Sequence, residues 1–121
     1  MAADDYCYVT TNGRRTGRPH RIEIWYAIHA DTLYLLSGGG HSSDWVQNAL
    51  VEPAVHVEVD GVRHVAQARV IEDADEAARA RSLVFEKYAA RSGDDLRALR
   101  DRALPVALDM GPHGAPWRES S

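Results

Sequence analysis

Short alternating runs, joined by turns too tight for a helix, limit how this chain can fold. Val55, Val57 and Val59 alternate with His56, Glu58 and Asp60, the two-residue period of a strand with one face in a core. Asp60-Gly61 closes the run and is a two-residue hairpin signal. The returning strand then runs from Val62 to about Ile71. It places His64 opposite Val57, on the face that carries Val62, Ala66, Ala68 and Val70. The same grammar recurs upstream. Residues 6–11 are β-branched and aromatic and end at the turn signal Asn12-Gly13. Residues 22–29 alternate Ile22, Ile24, Tyr26 and Ile28 against Glu23, Trp25, Ala27 and His29. Ala30-Asp31 leads into residues 33–37, a mostly apolar run that fits a more deeply buried strand.

Three helices interrupt this pattern. Gly38-Gly39-Gly40 precedes the first, with Ser42 or Ser43 as N-cap, Asp44 in the first turn and Pro53 as the stop. A second begins near Asp73, where Asp75 and Glu76 suit the positive end of the helix dipole. Its Ala77, Ala80, Val84 and Tyr88 share one face. A third, over about residues 94–103, turns Leu96, Leu99 and Ala103 inward. Residues 104–110 read as a closing strand, and Pro105 points to an edge or a strand start.

The expected fold is therefore α+β, an antiparallel barrel-like domain with one small inserted helix and a helical segment before the last strand. A doubly wound dinucleotide-binding sheet would need strands alternating regularly with crossover helices, and that rhythm is missing. The barrel domain is expected over residues 1–110, and residues 111–121, with Gly, Pro and Ser throughout, as a loose tail. At 121 residues, 45% of them hydrophobic, one domain can bury a real core. Cys7 is the single cysteine, so no internal disulfide forms. No signal peptide and no apolar run of about 18 residues is visible, and the expected location is the cytoplasm.

Two segments carry chemistry. Residues 13–21, Gly-Arg-Arg-Thr-Gly-Arg-Pro-His-Arg, hold four arginines and a histidine without one acid, in a protein of net charge −4. A cationic loop on an acidic protein marks a local anion site instead of a basic surface. Arginine forks suit phosphate or carboxylate. The second segment is Ser37-Gly38-Gly39-Gly40-His41-Ser42-Ser43-Asp44-Trp45. There a strand runs through glycines into a helix start, whose free backbone amides and dipole favour an anion. Alone, the first also reads as a solvated turn and the second as a plain loop. Together, each at a strand end, they point to one shared anionic ligand.

The run Thr10-Thr11-Asn12-Gly13-Arg14-Arg15-Thr16-Gly17-Arg18-Pro19-His20 resembles the signature of the deazaflavin-dependent nitroreductase family. Ile22-Glu23-Ile24-Trp25-Tyr26, Leu35-Leu36-Ser37-Gly38-Gly39 and Asp44-Trp45-Val46-Gln47-Asn48-Ala49-Leu50 extend the likeness, as does Pro105–Leu108. The resemblance implies a split β-barrel that uses reduced coenzyme F420, with flavin mononucleotide as the alternative known from related barrels. It implies hydride transfer to a nitro, quinone or enone acceptor, with a storage or sensing module as the non-catalytic alternative. In such proteins the loop matching Arg14, Arg15 and Thr16 meets the phosphate and the oligoglutamate tail. The segment matching Ser37, Gly38, Gly39, Asp44 and Trp45 wraps the phosphate end and the ring. Gly38 stands where relatives often carry lysine, and His20 with Arg21 where an arginine follows the proline. Ser37 is expected to hydrogen-bond the ring or the acceptor, and Tyr26 or Tyr88 to supply a proton. Trp25 is expected to face the cleft or a partner subunit, and because related barrels often pair, the resemblance leaves both a monomer and a homodimer open.

Other chemistries fail on spacing. The hairpin register sets His56 and His64 on opposite faces, so they share no metal. No Gly-x-Ser-x-Gly elbow occurs. One basic loop on an acidic chain does not make a nucleic-acid surface.

Overall fold

The computed structural model of the chain describes residues 6–89 and 96–110. Seven strands run β1 (Cys7–Asn12), β2 (Pro19–Ile24), β3 (Ala27–His29), β4 (Thr32–Ser37), β5 (Ala54–Val59), β6 (Val62–Val70) and β7 (Leu104–Asp109). Their order in the single sheet is β2-β1-β5-β6-β7-β4-β3, and every pairing is antiparallel. The β5–β6 hairpin turns at Asp60 and Gly61, both at positive φ, and pairs Val57 with His64 as the turn chemistry predicts. His56 opposes Val65 instead, on the other face.

One expected strand is two. Residues 22–29 break at Trp25 and Tyr26, and β2 and β3 become the opposite edges of the sheet. Three Cα steps from Ile24 to Ala27 reach about 11 Å at most. The sheet must therefore curl until its edges nearly meet, as a half-barrel. The break is held from outside by α2 (Ala74–Ala89). The Tyr26 backbone N–H donates to the Tyr88 hydroxyl oxygen at 3.1 Å, and that hydroxyl donates to the Tyr26 carbonyl at 3.2 Å. Lys87 Nζ donates to the same carbonyl at 2.9 Å. Beyond the break the alternation slips, so Ala27 is buried and Ile28 exposed.

Curling gives the molecule two cores. Inside the barrel, Val9, Leu33, Leu35, Val57 and Leu108 pack with Trp45, Val46 and Ala49 of α1 (Asp44–Val51). Outside, Ala80, Val84 and Tyr88 of α2 cover Tyr34, Leu36 and Ala107, joined by Leu96 and Leu99 around α3 (Arg97–Arg102). Strand β4 thus lies between two apolar layers, which is why residues 33–37 read as nearly continuous hydrophobic sequence. Pro105 does not mark an edge, because β7 lies between β6 and β4. It is the second residue of its strand, where a missing N–H is tolerated. The third helix begins at Arg97; Asp94 lies outside the described residues, as does the expected tail at 111–121. Among the described residues no helix is long and apolar enough to cross a membrane.

A charged clamp fastens α2 to the sheet. Arg69 of β6 donates to Glu76 of α2 at 2.7 and 2.8 Å and to Asp109 of β7 at 2.6 and 3.1 Å. The Tyr34 hydroxyl donates to Glu76 at 2.9 Å. Asp73 caps the helix by accepting the Glu76 N–H at 2.8 Å. The Arg69 guanidinium, with the Tyr34 hydroxyl, outweighs burial and holds the Glu76 carboxyl down at about 2. A depressed carboxylate stabilises the fold above its ordinary titration range, and that stabilisation disappears as pH falls toward the folded value. Unfolding free energy should thus drop by about 2 kcal/mol between about pH 5 and pH 2 through this group. Glu76→Gln should flatten that part of the slope; denaturant melts of both proteins across the range decide it, and parallel curves would refute the clamp.

Candidate functional site

The arginine loop stands where it does because of one buried amide. Asn48 is 3% exposed and sits in the middle of α1. Its Nδ2 donates to Thr11 Oγ1 of β1 at 3.1 Å. Its Oδ1 accepts from the Arg14 backbone N–H at 3.1 Å and from Arg14 Nη1 at 2.8 Å. Arg14 also reaches Asp44, donating to the carbonyl at 3.4 Å and the carboxylate at 3.3 Å. The loop is closed upon itself as well: the Gly13 N–H donates to the Arg18 carbonyl at 2.8 Å, and the Gly17 N–H to the Gly13 carbonyl at 2.7 Å. A Cβ on Gly13 would lie 2.9 Å from that Arg18 oxygen, so glycine is required there.

With Arg14 turned onto α1, the exposed Arg15, Thr16 and Arg18 face outward beside the partly buried His20. They line an open cleft of about 250 Å³ together with Gly13, Arg14, Pro19, Asp44 and Asn48. Three guanidinium groups meet one carboxylate, Asp44, which is itself paired with Arg14. The cleft is cationic on a protein of net charge −4. Such a concavity concentrates anions, because charges of one sign on low-dielectric walls reinforce each other.

The glycine segment folds differently from expectation. Gly40–Ser42 forms a 3-10 turn before α1, and Ser43 takes the N-cap position without capping through its side chain. Ser43 Oγ instead lies 2.9 Å from Ser37 Oγ, and Ser37 Oγ donates to the Gly40 carbonyl at 3.0 Å. Ser37, 1% exposed, thereby closes the turn. A Cβ on Gly39 would come within 2.4 Å of Ser43 Oγ, whereas one on Gly38 would meet nothing within 4 Å. Gly38 and Gly39 lie outside the set that lines the arginine cleft.

The remaining expected site residues divide. Asp44 joins the cleft. Trp45, 6% exposed, packs into the barrel core and is not a cleft residue. Arg21 points to the other face of β2, with its guanidinium 4.3 Å from the centroid of the Tyr8 ring. Trp25 stacks on Tyr88 at 4.3 Å between centroids and 5° between planes, beneath α2. Tyr26 is buried in the barrel interior, and the Tyr88 hydroxyl holds its backbone. Cys7 is fully buried, and burial pushes its thiol up to about 12, which leaves no nucleophilic thiolate. Among the described residues no group of three His, Cys, Asp or Glu could hold a metal ion. Reading the sequence alone misses Asn48 and Arg18 as site residues. The signal for Asn48 is a polar side chain on the apolar stripe of Trp45, Val46 and Ala49, which burial forces into hydrogen bonds.

A sequence model of a family described as F420H(2)-dependent quinone reductase matches residues 2–110. No curated protein sequence matches the chain. Solved structures do resemble it. A protein proposed to confer 5-nitroimidazole resistance, from Bacteroides thetaiotaomicron, superimposes with a TM-score of 0.69 at 16% identity, over 89% of this chain and 74% of that one. A conserved hypothetical protein from Mycobacterium tuberculosis gives 0.67 at 19% identity, over 98% and 85%. An F420-H2 dependent reductase gives 0.67 at 18% identity, over 86% and 93%. At these identities the likeness establishes the split-barrel fold.

Asn48→Ala tests the anchor, since it leaves Thr11 Oγ1 and the Arg14 N–H without their partner. Stability should fall by about 2 kcal/mol, read from denaturant unfolding. A loss under about 0.5 kcal/mol, the range of ordinary surface changes, would show that the amide does not hold the loop.

Proposed function

The chain belongs to the F420H(2)-dependent quinone reductase family, which makes it a reductase using coenzyme F420, and we propose that its cationic cleft holds the acidic end of that coenzyme. The observation that carries this reading is the fixed arginine loop: Arg14 tied to Asn48, with Arg15, Thr16, Arg18 and His20 turned to the opening. The donor set fits the group. Guanidinium forks donate to carboxylate and phosphate oxygens two at a time, and the coenzyme's phosphate and oligoglutamate tail offer both. Gly38, with open space where a Cβ would be, lets such a group approach the backbone of the turn.

The bound coenzyme supplies a hydride, and the acceptor we assign is a quinone, reduced to the hydroquinone by that hydride and a proton. The chain contributes position and charge. Arg14 fixes the loop, and Arg15 and Arg18 supply the positive field. Thr16 Oγ1 accepts the Arg18 N–H at 3.2 Å, which leaves its own proton to give to an anion. Ser37 shapes the turn that follows β4, and its hydrogen bond to Gly40 makes it a positioning residue in this reading. Tyr88 has the same standing, because its hydroxyl fixes the β2–β3 corner.

Arg15→Ala and Arg18→Ala, both exposed and outside the cores, should each weaken coenzyme binding about five- to tenfold while leaving the unfolding midpoint unchanged. Titration by coenzyme fluorescence, followed by menadione turnover, measures the effect. Full affinity in the double variant would remove the loop from the site.

A further inference from the structure

An arginine loop set against the start of a helix is the raw material of a general phosphate site. Arg14 reaches Asp44, the first residue of α1, and Arg15, Arg18 and His20 line the same cleft. The positive end of a helix dipole draws anions, and Ser43 leaves this one without a side-chain cap. The position is nevertheless held by an acid of the chain itself, since Asp44 is the one acidic residue in the first turn of α1. Its side chain is 72% exposed, and its carboxylate lies 3.3 Å from Arg14 Nη2. That carboxylate is not what places the arginine. Asn48 Oδ1 accepts from the Arg14 backbone N–H at 3.1 Å and from Nη1 at 2.8 Å. The remaining contact, from Nη1 to the Asp44 carbonyl at 3.4 Å, is to main chain that any residue would supply. What the Asp44 side chain adds to the cleft is negative charge.

We propose that Asp44 is a specificity-determining residue, an internal counter-anion that keeps compact polyanions such as inorganic phosphate and pyrophosphate out of the cleft while admitting the coenzyme. The inference rests on the proposed placement of the coenzyme's acidic end in that cleft, and it adds which ligands the cleft refuses. A compact polyanion brings several charges to one point. The point where Arg14 meets the helix start already carries a carboxylate, and repulsion grows with every charge the ligand concentrates beside it. An anion whose charges are spaced along a chain escapes that penalty. It can meet the exposed Arg15 and Arg18 and leave Arg14 paired with Asp44. The cleft therefore stays cationic enough to attract, while its most buried arginine is neutralised from within. Without the acid, the same arginines beside an uncapped helix start would hold small phosphates well.

The test follows coenzyme binding by fluorescence at low salt, with pyrophosphate as the competitor, in the wild type, Asp44→Asn and Asp44→Glu. Asparagine keeps the shape and removes the charge, glutamate keeps the charge, and a thermal melt confirms each variant's fold. Pyrophosphate should compete about five- to tenfold more strongly in Asp44→Asn than in the wild type. The coenzyme's own affinity should rise by no more than about twofold, because its charges lie away from Asp44. Asp44→Glu should retain the wild-type behaviour. A competitor constant unchanged in Asp44→Asn, or coenzyme affinity that tightens as much as that of pyrophosphate, overturns the discrimination and leaves the cleft reading standing. Weaker coenzyme binding in Asp44→Asn overturns it as well, by making the acid a part of the binding machinery. Coenzyme affinity equal in the wild type and in the Arg15→Ala, Arg18→Ala double variant overturns the cleft reading and this inference together.

Discussion

The architecture depends on a two-residue bridge. Trp25 and Tyr26 connect the strands that form opposite edges of the sheet, and so short a link can be satisfied only by a sheet that has curled almost shut. The bridge is rigid because its backbone polar groups are paired: the Tyr88 hydroxyl both accepts from and donates to Tyr26. Where a strand breaks, unpaired backbone groups would otherwise be buried at a cost of about 1–3 kcal/mol each. A tyrosine from a helix outside the barrel supplies the missing partner. Its ring, stacked on Trp25, places α2 over β4 and β7 and creates the second core.

Closure also decides where α1 can go. The helix inserts Trp45, Val46 and Ala49 among the inward side chains of β1, β4 and β5, which brings Asn48 against Thr11 at the end of β1. From there one amide organises the site. An arginine-rich loop left to itself would splay through mutual repulsion. Asn48 binds both the backbone and the guanidinium of Arg14, so the repulsion acts only to turn Arg15 and Arg18 outward. The loop is held by hydrogen bonds within the chain itself, and a loop fixed in this way loses less entropy on binding than a free one.

Charge on this protein is a matter of place and not of total. The whole chain is acidic, yet it gathers arginines in the loop cleft and in a separate hollow on the outer sheet face. Meanwhile Arg69 is fully occupied by two carboxylates and serves only to fasten α2. The same side chain type is tied down by two carboxylates at Arg69 and left exposed in the loop at Arg15 and Arg18. A net charge cannot separate the two.

Local patterns were enough for much of this. Turn chemistry at Asp60-Gly61 specified a hairpin and its register, and the apolar face of Ala80, Val84 and Tyr88 specified how α2 packs, because both signals arise from residues near each other in the chain. The cationic loop was equally legible as a closed turn with its charge turned outward, since glycine, proline and arginine act there through their own geometry and charge. The split of residues 22–29 was not legible, for an alternating run looks the same whether it crosses one sheet or joins two edges. Nor was the role of Tyr88, whose hydroxyl meets Tyr26 from far along the sequence. The amide of Asn48 and the separation of Arg21 from Arg14 belong to the same category. They follow from which faces the closed barrel brings together, and that depends on contacts between distant segments, which no local period encodes.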